Sequence, residues 1–110
     1  MKRLASTGRV PDDNLRAMAK GYWITCYRLM PDEVTLADYA RIAGTAIESC
    51  GGRFLARGSP AKTYEAGMNK RLVIIEFENV DKAIAAYESP EYQAALALLK
   101  NSAERDVRII

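Results

Sequence analysis

The sequence predicts an α+β domain in which two β-α-β units build one four-stranded antiparallel sheet with both helices on one face. Three observations carry this. Runs with strand-like and helix-like apolar spacing follow the order strand, helix, strand, strand, helix, strand. The 110 residues suit one domain around one core. Residues 71–77 are almost continuously apolar, as a strand in the middle of a sheet would be.

Residues 1–20 read as an arm. Gly8 and Pro11 make its start irregular, and Asp12, Asp13 and Asn14 could cap a short helix through Leu15, Met18 and Ala19. The domain then spans 21–110. Residues 22–28 follow Gly21, are rich in aromatic and β-branched types, and form the first strand. Thr35 with Asp38 three positions on has the form of a capping box. Leu36, Tyr39, Ala43 and Ile47 then recur at helical spacing until Gly51-Gly52 stops the helix. Residues 53–57 make a short strand, 59–70 a polar loop, and 71–77 the central strand. Asn79 or Asp81 caps the second helix. Ser89-Pro90 supplies a second cap and breaks that helix in two. Residues 106–109 alternate polar and apolar and form the last strand.

This order matches the ferredoxin-like plan, and right-handed crossovers leave few alternatives. Two helices cover one sheet face only. Val73, Ile75 and Phe77 are assigned inward with Phe54 and Ala56. Leu72, Ile74 and Glu76 then lie on the second face with Arg53, Leu55 and Arg57. That face is too apolar for water, so a second copy of the chain is the expected cover.

Composition narrows the chemistry. The net charge of +2 is weak and evenly spread, which argues against nucleic-acid or membrane partners. No apolar stretch approaches a membrane span. Cys26 and Cys50 have no metal spacing, and no secretory signal is visible, so reduced thiols in the cytoplasm are expected. The chain has no histidine. That removes the histidine-type triad and the usual zinc and haem ligands. No metal and no cofactor are expected.

Five residues stand out as site candidates. Glu76 is the candidate catalytic acid or base, and Arg57, on a neighbouring strand, could hold an anionic group or form a structural ion pair with it. Tyr22 and Tyr27, with Trp23, could stack on a flat ligand or simply pack. Tyr92, like Tyr87, flanks the helix break and could bond a ligand. Cys26 reads as inert. The charges at Glu104, Arg105, Asp106 and Arg108 read as a solvated or interface strand edge.

Residues 21–24, Tyr39, 51–58, 73–77, Ala83, Tyr87 and the Ser89-Pro90-Glu91-Tyr92-Gln93 turn together resemble the family called domain of unknown function 1330, over roughly residues 20–110. The resemblance implies a dimeric α+β barrel in which two sheets face each other. Relatives in that wider group include cofactor-independent monooxygenases and haem-degrading enzymes. This chain departs from the family pattern at Leu99-Lys100, where an arginine is frequent, at Thr45, where proline is frequent, and at its end, Ile110. Two functions follow as alternatives. One is a small-molecule binder or enzyme with a pocket between helix and sheet or inside the barrel. The other is a non-catalytic dimeric module for structure or sensing.

Overall fold

The computed structural model describes residues 19–110. The elements are β1 (Gly21–Leu29), α1 (Glu33–Ser49), β2 (Arg53–Gly58), β3 (Leu72–Phe77), α2 (Val80–Glu88), α3 (Pro90–Ala97) and β4 (Glu104–Ile109). The strands lie in the order β2-β3-β1-β4, all antiparallel to their neighbours. This is the ferredoxin-like arrangement the sequence predicts. The arm and short helix expected at 1–20 lie outside the described residues, apart from Ala19 and Lys20.

Local chemistry accounts for the element ends, with one correction. The N-cap of α1 is Asp32, not Thr35. Its Oδ1 accepts from the Thr35 backbone N–H at 2.8 Å and its Oδ2 from the Thr35 hydroxyl at 3.1 Å. Thr35 therefore sits inside the first turn, and the helix begins earlier than a Thr35–Asp38 box would place it. At the other end Gly51 takes φ +92°, while the Gly51 and Gly52 amides donate to Glu48 and Ile47 carbonyls. That is a Schellman stop, and a side chain at Gly51 would strain it. Asn79 caps α2 through the Lys82 amide. Ser89 caps α3 through the Tyr92 amide at 3.2 Å, with Pro90 in the first turn. The broken second helix is thus as predicted.

Alternation fixes which side chains meet the helices. Trp23, Thr25 and Tyr27 of β1 are buried, while Tyr22, Ile24 and Cys26 between them are only partly covered. Ile75 and Phe77 are buried and Val73 packs on the same core, so the inward set of β3 is as expected. Trp23 is the hub. It stacks on Phe77 at 6.4 Å between centroids and meets Tyr92 edge-on at 4.7 Å and Tyr87 at 5.2 Å. Trp23 and Tyr87 therefore pack within the core.

Strand β2 departs from simple alternation. Phe54 pairs with Ile75, but the next partner of β3, Ile74, meets Ala56. Leu55 is the extra residue of a bulge. Beyond it the faces exchange. Ala56 turns to the open face and Arg57 to the helix side, the reverse of the expected placement.

Candidate functional site

The five candidates divide between the two faces of the sheet. Tyr22 and Glu76 are Cα partners on the open face. The partner of Glu76 is Arg53, not Arg57. Arg53 donates to Glu76 Oε1 at 2.8 Å, and Tyr22 Oη donates to Oε2 at 3.2 Å. The cause is the bulge, which leaves Arg53 opposite Glu76 and carries Arg57 away.

The Arg53 guanidinium holds the Glu76 carboxyl below its usual range. Desolvation opposes this, and the Tyr22 hydrogen bond adds to the lowering. Glu76 is therefore ionised at neutral pH and suits a charge partner better than an acid. The unfolded chain holds this proton more tightly than the folded one. The contribution to stability is thus complete above the ordinary carboxylate range and is lost as pH falls through the depressed value. Glu76→Gln is expected to flatten the acid limb of the stability curve below about pH 5. Urea midpoints across that range check it. Asp32, through its Thr35 bonds, and Asp106, through Arg108, are also lowered and leave a residual slope of the same sign.

The other three candidates lie on the helix side. Arg105 of β4 donates from Nη1 to Tyr39 Oη and from Nη2 to Tyr92 Oη, both at 3.0 Å. The two hydroxyls are 2.7 Å apart. The Arg105 guanidinium also sits over the Tyr39 ring at 5.3 Å and the Tyr27 ring at 5.6 Å. Burial pushes the Tyr92 hydroxyl well up, so it stays neutral. Burial likewise raises Tyr27, assisted by Tyr39 and opposed by Arg105. Arg105 remains a cation. Its described partners are tyrosines; no described carboxylate pairs with it. Asp106 and Arg108 face out from the edge strand, as a solvated or interface edge requires, but Arg105 faces in and departs from that expectation.

Beside this cluster lies a hollow of about 40 Å³ between α1 and the sheet. Apolar side chains form most of its wall, and Tyr39, Thr25, Arg57, Arg71 and Arg105 reach it. The Arg57 guanidinium lies 4.2 Å above the Phe54 ring. A wider groove of about 540 Å³ lies beside the 59–70 loop, along Cys26, Leu72, Tyr64 and Met68.

A family model described as Domain of unknown function (DUF1330) matches residues 20–110. The chain belongs to that family. No curated protein matches this DUF1330 chain. Its fold is similar to a protein of unknown function from Rhodopseudomonas palustris, at TM-score 0.64 and 16% identity, covering 92% of this chain and 93% of that one. It is also similar to SnoaB, a cofactor-independent oxygenase from Streptomyces nogalater, at TM-score 0.58 and 10% identity, covering 83% and 90%. A dimeric, ferredoxin-like protein of unknown function from Bacteroides fragilis aligns at TM-score 0.50 and 20% identity, covering 83% and 94%. At these identities the likeness is one of fold.

Four polar residues of the hollow in this DUF1330 chain are not among the candidates the sequence offers: Thr25, Tyr39, Arg71 and Arg105. A signal existed for each arginine. Arg71 is in phase with Val73, Ile75 and Phe77, and Arg105 with Val107 and Ile109. An arginine in register with inward apolar residues points at the core. Among the described residues no group of three or more acidic, cysteine or histidine side chains could hold a metal, and no helix is long and apolar enough to cross a membrane.

Proposed function

We propose that this DUF1330 chain binds a small molecule in the hollow between α1 and the sheet, and works as a homodimer joined through its open sheet face. One observation carries the binding role. Inside an otherwise apolar core, hydroxyls and guanidinium groups converge on a space that no side chain fills. Convergent polar groups on an apolar-walled space are the pattern of a ligand pocket, and about 40 Å³ admits one end of a ligand rather than the whole. Gly44 supports it. This glycine lies within α1 on the wall of the hollow, has no positive φ, and a Cβ built on it meets nothing within 4 Å. Glycine there weakens the helix by about 1 kcal/mol relative to alanine, with no turn or close contact requiring it. The space beside it is open enough to take a methyl group without contact.

Glu76 and Tyr22 enter this reading as part of the dimer face, and Arg57, Tyr27 and Tyr92 as part of the pocket or its support. SnoaB is a cofactor-independent oxygenase of similar fold, so such a scaffold can house chemistry without a cofactor. The soluble, cytoplasmic setting expected from the sequence is kept in this reading.

The test is Gly44→Leu against Gly44→Ala. Alanine is expected to stabilise the fold by about 0.5–1 kcal/mol and leave binding intact. Leucine is expected to keep the fold and abolish binding of small organic probes in ligand-observed NMR. Unchanged probe binding in Gly44→Leu would remove the hollow as the site.

A further inference from the structure

Resting on that pocket, we infer that its ligand is an organic acid whose carboxylate enters the hollow head first. The hydrogen-bonding capacity of the wall decides this. Tyr92 is fully buried and does not reach the hollow, whereas Tyr39 lines it. Each hydroxyl accepts one bond from Arg105. The 2.7 Å contact between them uses one of their two protons. If Tyr39 donated, the Tyr92 proton would be stranded in the core at a cost of about 1–3 kcal/mol. With Tyr92 donating, the Tyr39 oxygen is saturated and its proton is free on the wall of the hollow. Among the described residues nothing accepts it.

Thr25 supplies a second free proton. Its hydroxyl oxygen takes the Trp23 indole N–H at 2.8 Å. It is buried, it lines the hollow, and no described acceptor takes its proton. Both hydroxyls thus present a free proton to the hollow, and the Tyr39 oxygen has no lone pair left to accept with. Arg57, Arg71 and Arg105 add donors that cannot accept at all. No aspartate or glutamate lines the hollow. A surface with more donors than acceptors, three guanidinium groups and no carboxylate is complementary to a group that only accepts and carries negative charge, and such bonds are stronger than neutral ones.

Size limits the ligand further. A water needs about 10–15 Å³ of such space, so about 40 Å³ holds roughly the three heavy atoms of a carboxylate. The body of the acid must extend outward past Arg57, which is exposed, and the Phe54 ring beneath it. An apolar body suits that exit.

The experiment pairs benzoate and hexanoate with benzamide and hexanamide, titrated calorimetrically into wild type, Tyr39→Phe and Arg105→Gln. The acids are expected to bind wild type at least about tenfold more tightly than their amides. Tyr39→Phe, which keeps the ring, is expected to weaken the acids by about tenfold and leave the amides unchanged. Arg105→Gln is expected to lose the preference for acids; near-UV circular dichroism confirms that both variants stay folded. Equal binding of acid and amide by wild type would overturn the carboxylate inference while leaving a small-molecule pocket in place. Acid binding that Tyr39→Phe does not weaken would also overturn it. Failure of all four probes to bind wild type, together with no effect of Gly44→Leu on any fragment, would overturn the pocket itself.

Discussion

Trp23→Ala is expected to destabilise the domain by about 3–5 kcal/mol, the range for truncating a large buried aromatic. The indole is 1% exposed and is the shared neighbour of Phe77, Tyr87 and Tyr92. These side chains come from β3, α2 and α3, so one cavity would loosen the sheet and both short helices together. The substitution also takes the indole N–H from the buried Thr25 hydroxyl oxygen. A domain of this size has about 5–15 kcal/mol in total, so the loss is a large share. Thermal unfolding should show the midpoint falling by at least about 12 °C. Trp23→Phe separates the two causes, because it keeps a stacking ring and removes only the indole bond and part of the volume. It is expected to cost about a third as much. A loss below about 1 kcal/mol for Trp23→Ala would mean that the core closes around the gap and that Trp23 is not its hub.

The contrast between Trp23 and Arg57 shows what the sequence can reveal. Strand order, the glycine stop at Gly51-Gly52 and the Ser89-Pro90 break rest on local chemistry, and local chemistry is written in neighbouring residues. The inward set Val73, Ile75 and Phe77 follows from a period of two that nothing interrupts. Arg57 obeys the same period until Leu55 bulges, and no residue of 53–58 announces that bulge. A single inserted position moved Arg57 to the other face and gave Glu76 to Arg53. The capping box failed differently. Asp32 and Thr35 are both competent caps three residues apart, and the earlier one won because Glu33 and Val34 can join the helix exposed. The Tyr39–Tyr92–Arg105 cluster draws on α1, α3 and β4. Its inward arginine was readable from phase, but its convergence with two tyrosines depends on how distant elements pack.

The second large effect concerns the open face. Ile74→Glu is expected to raise the dimer dissociation constant at least about a hundredfold, equivalent to about 2.7 kcal/mol, while the fold survives. Ile24 and Ile74 are Cα partners on adjacent central strands, with Leu72 and Cys26 paired beside them. Charged groups bound this apolar centre, Arg53–Glu76 at one end and Arg28 of β1 with Asp106 and Arg108 of β4 at the other side. An apolar middle with a charged rim is the usual anatomy of a protein interface. The 59–70 loop extends it, since Tyr64 and Met68 are 75% and 46% exposed and border the same groove as Leu72 and Cys26. A glutamate at position 74 would need about 800 Å² of buried surface per subunit to form around an unpaired charge. In a twofold dimer that charge appears twice. Because the Ile74 side chain lies opposite to the buried face of β3, far-UV circular dichroism should be unchanged. Sedimentation velocity over a concentration series distinguishes the outcomes. A wild-type monomer at about 100 μM would overturn the dimer, and a dimer that Ile74→Glu leaves intact would place the subunit contact elsewhere. A shift to monomer with carboxylate binding preserved would show that the two faces of the sheet act independently, the open one for assembly and the covered one for the ligand.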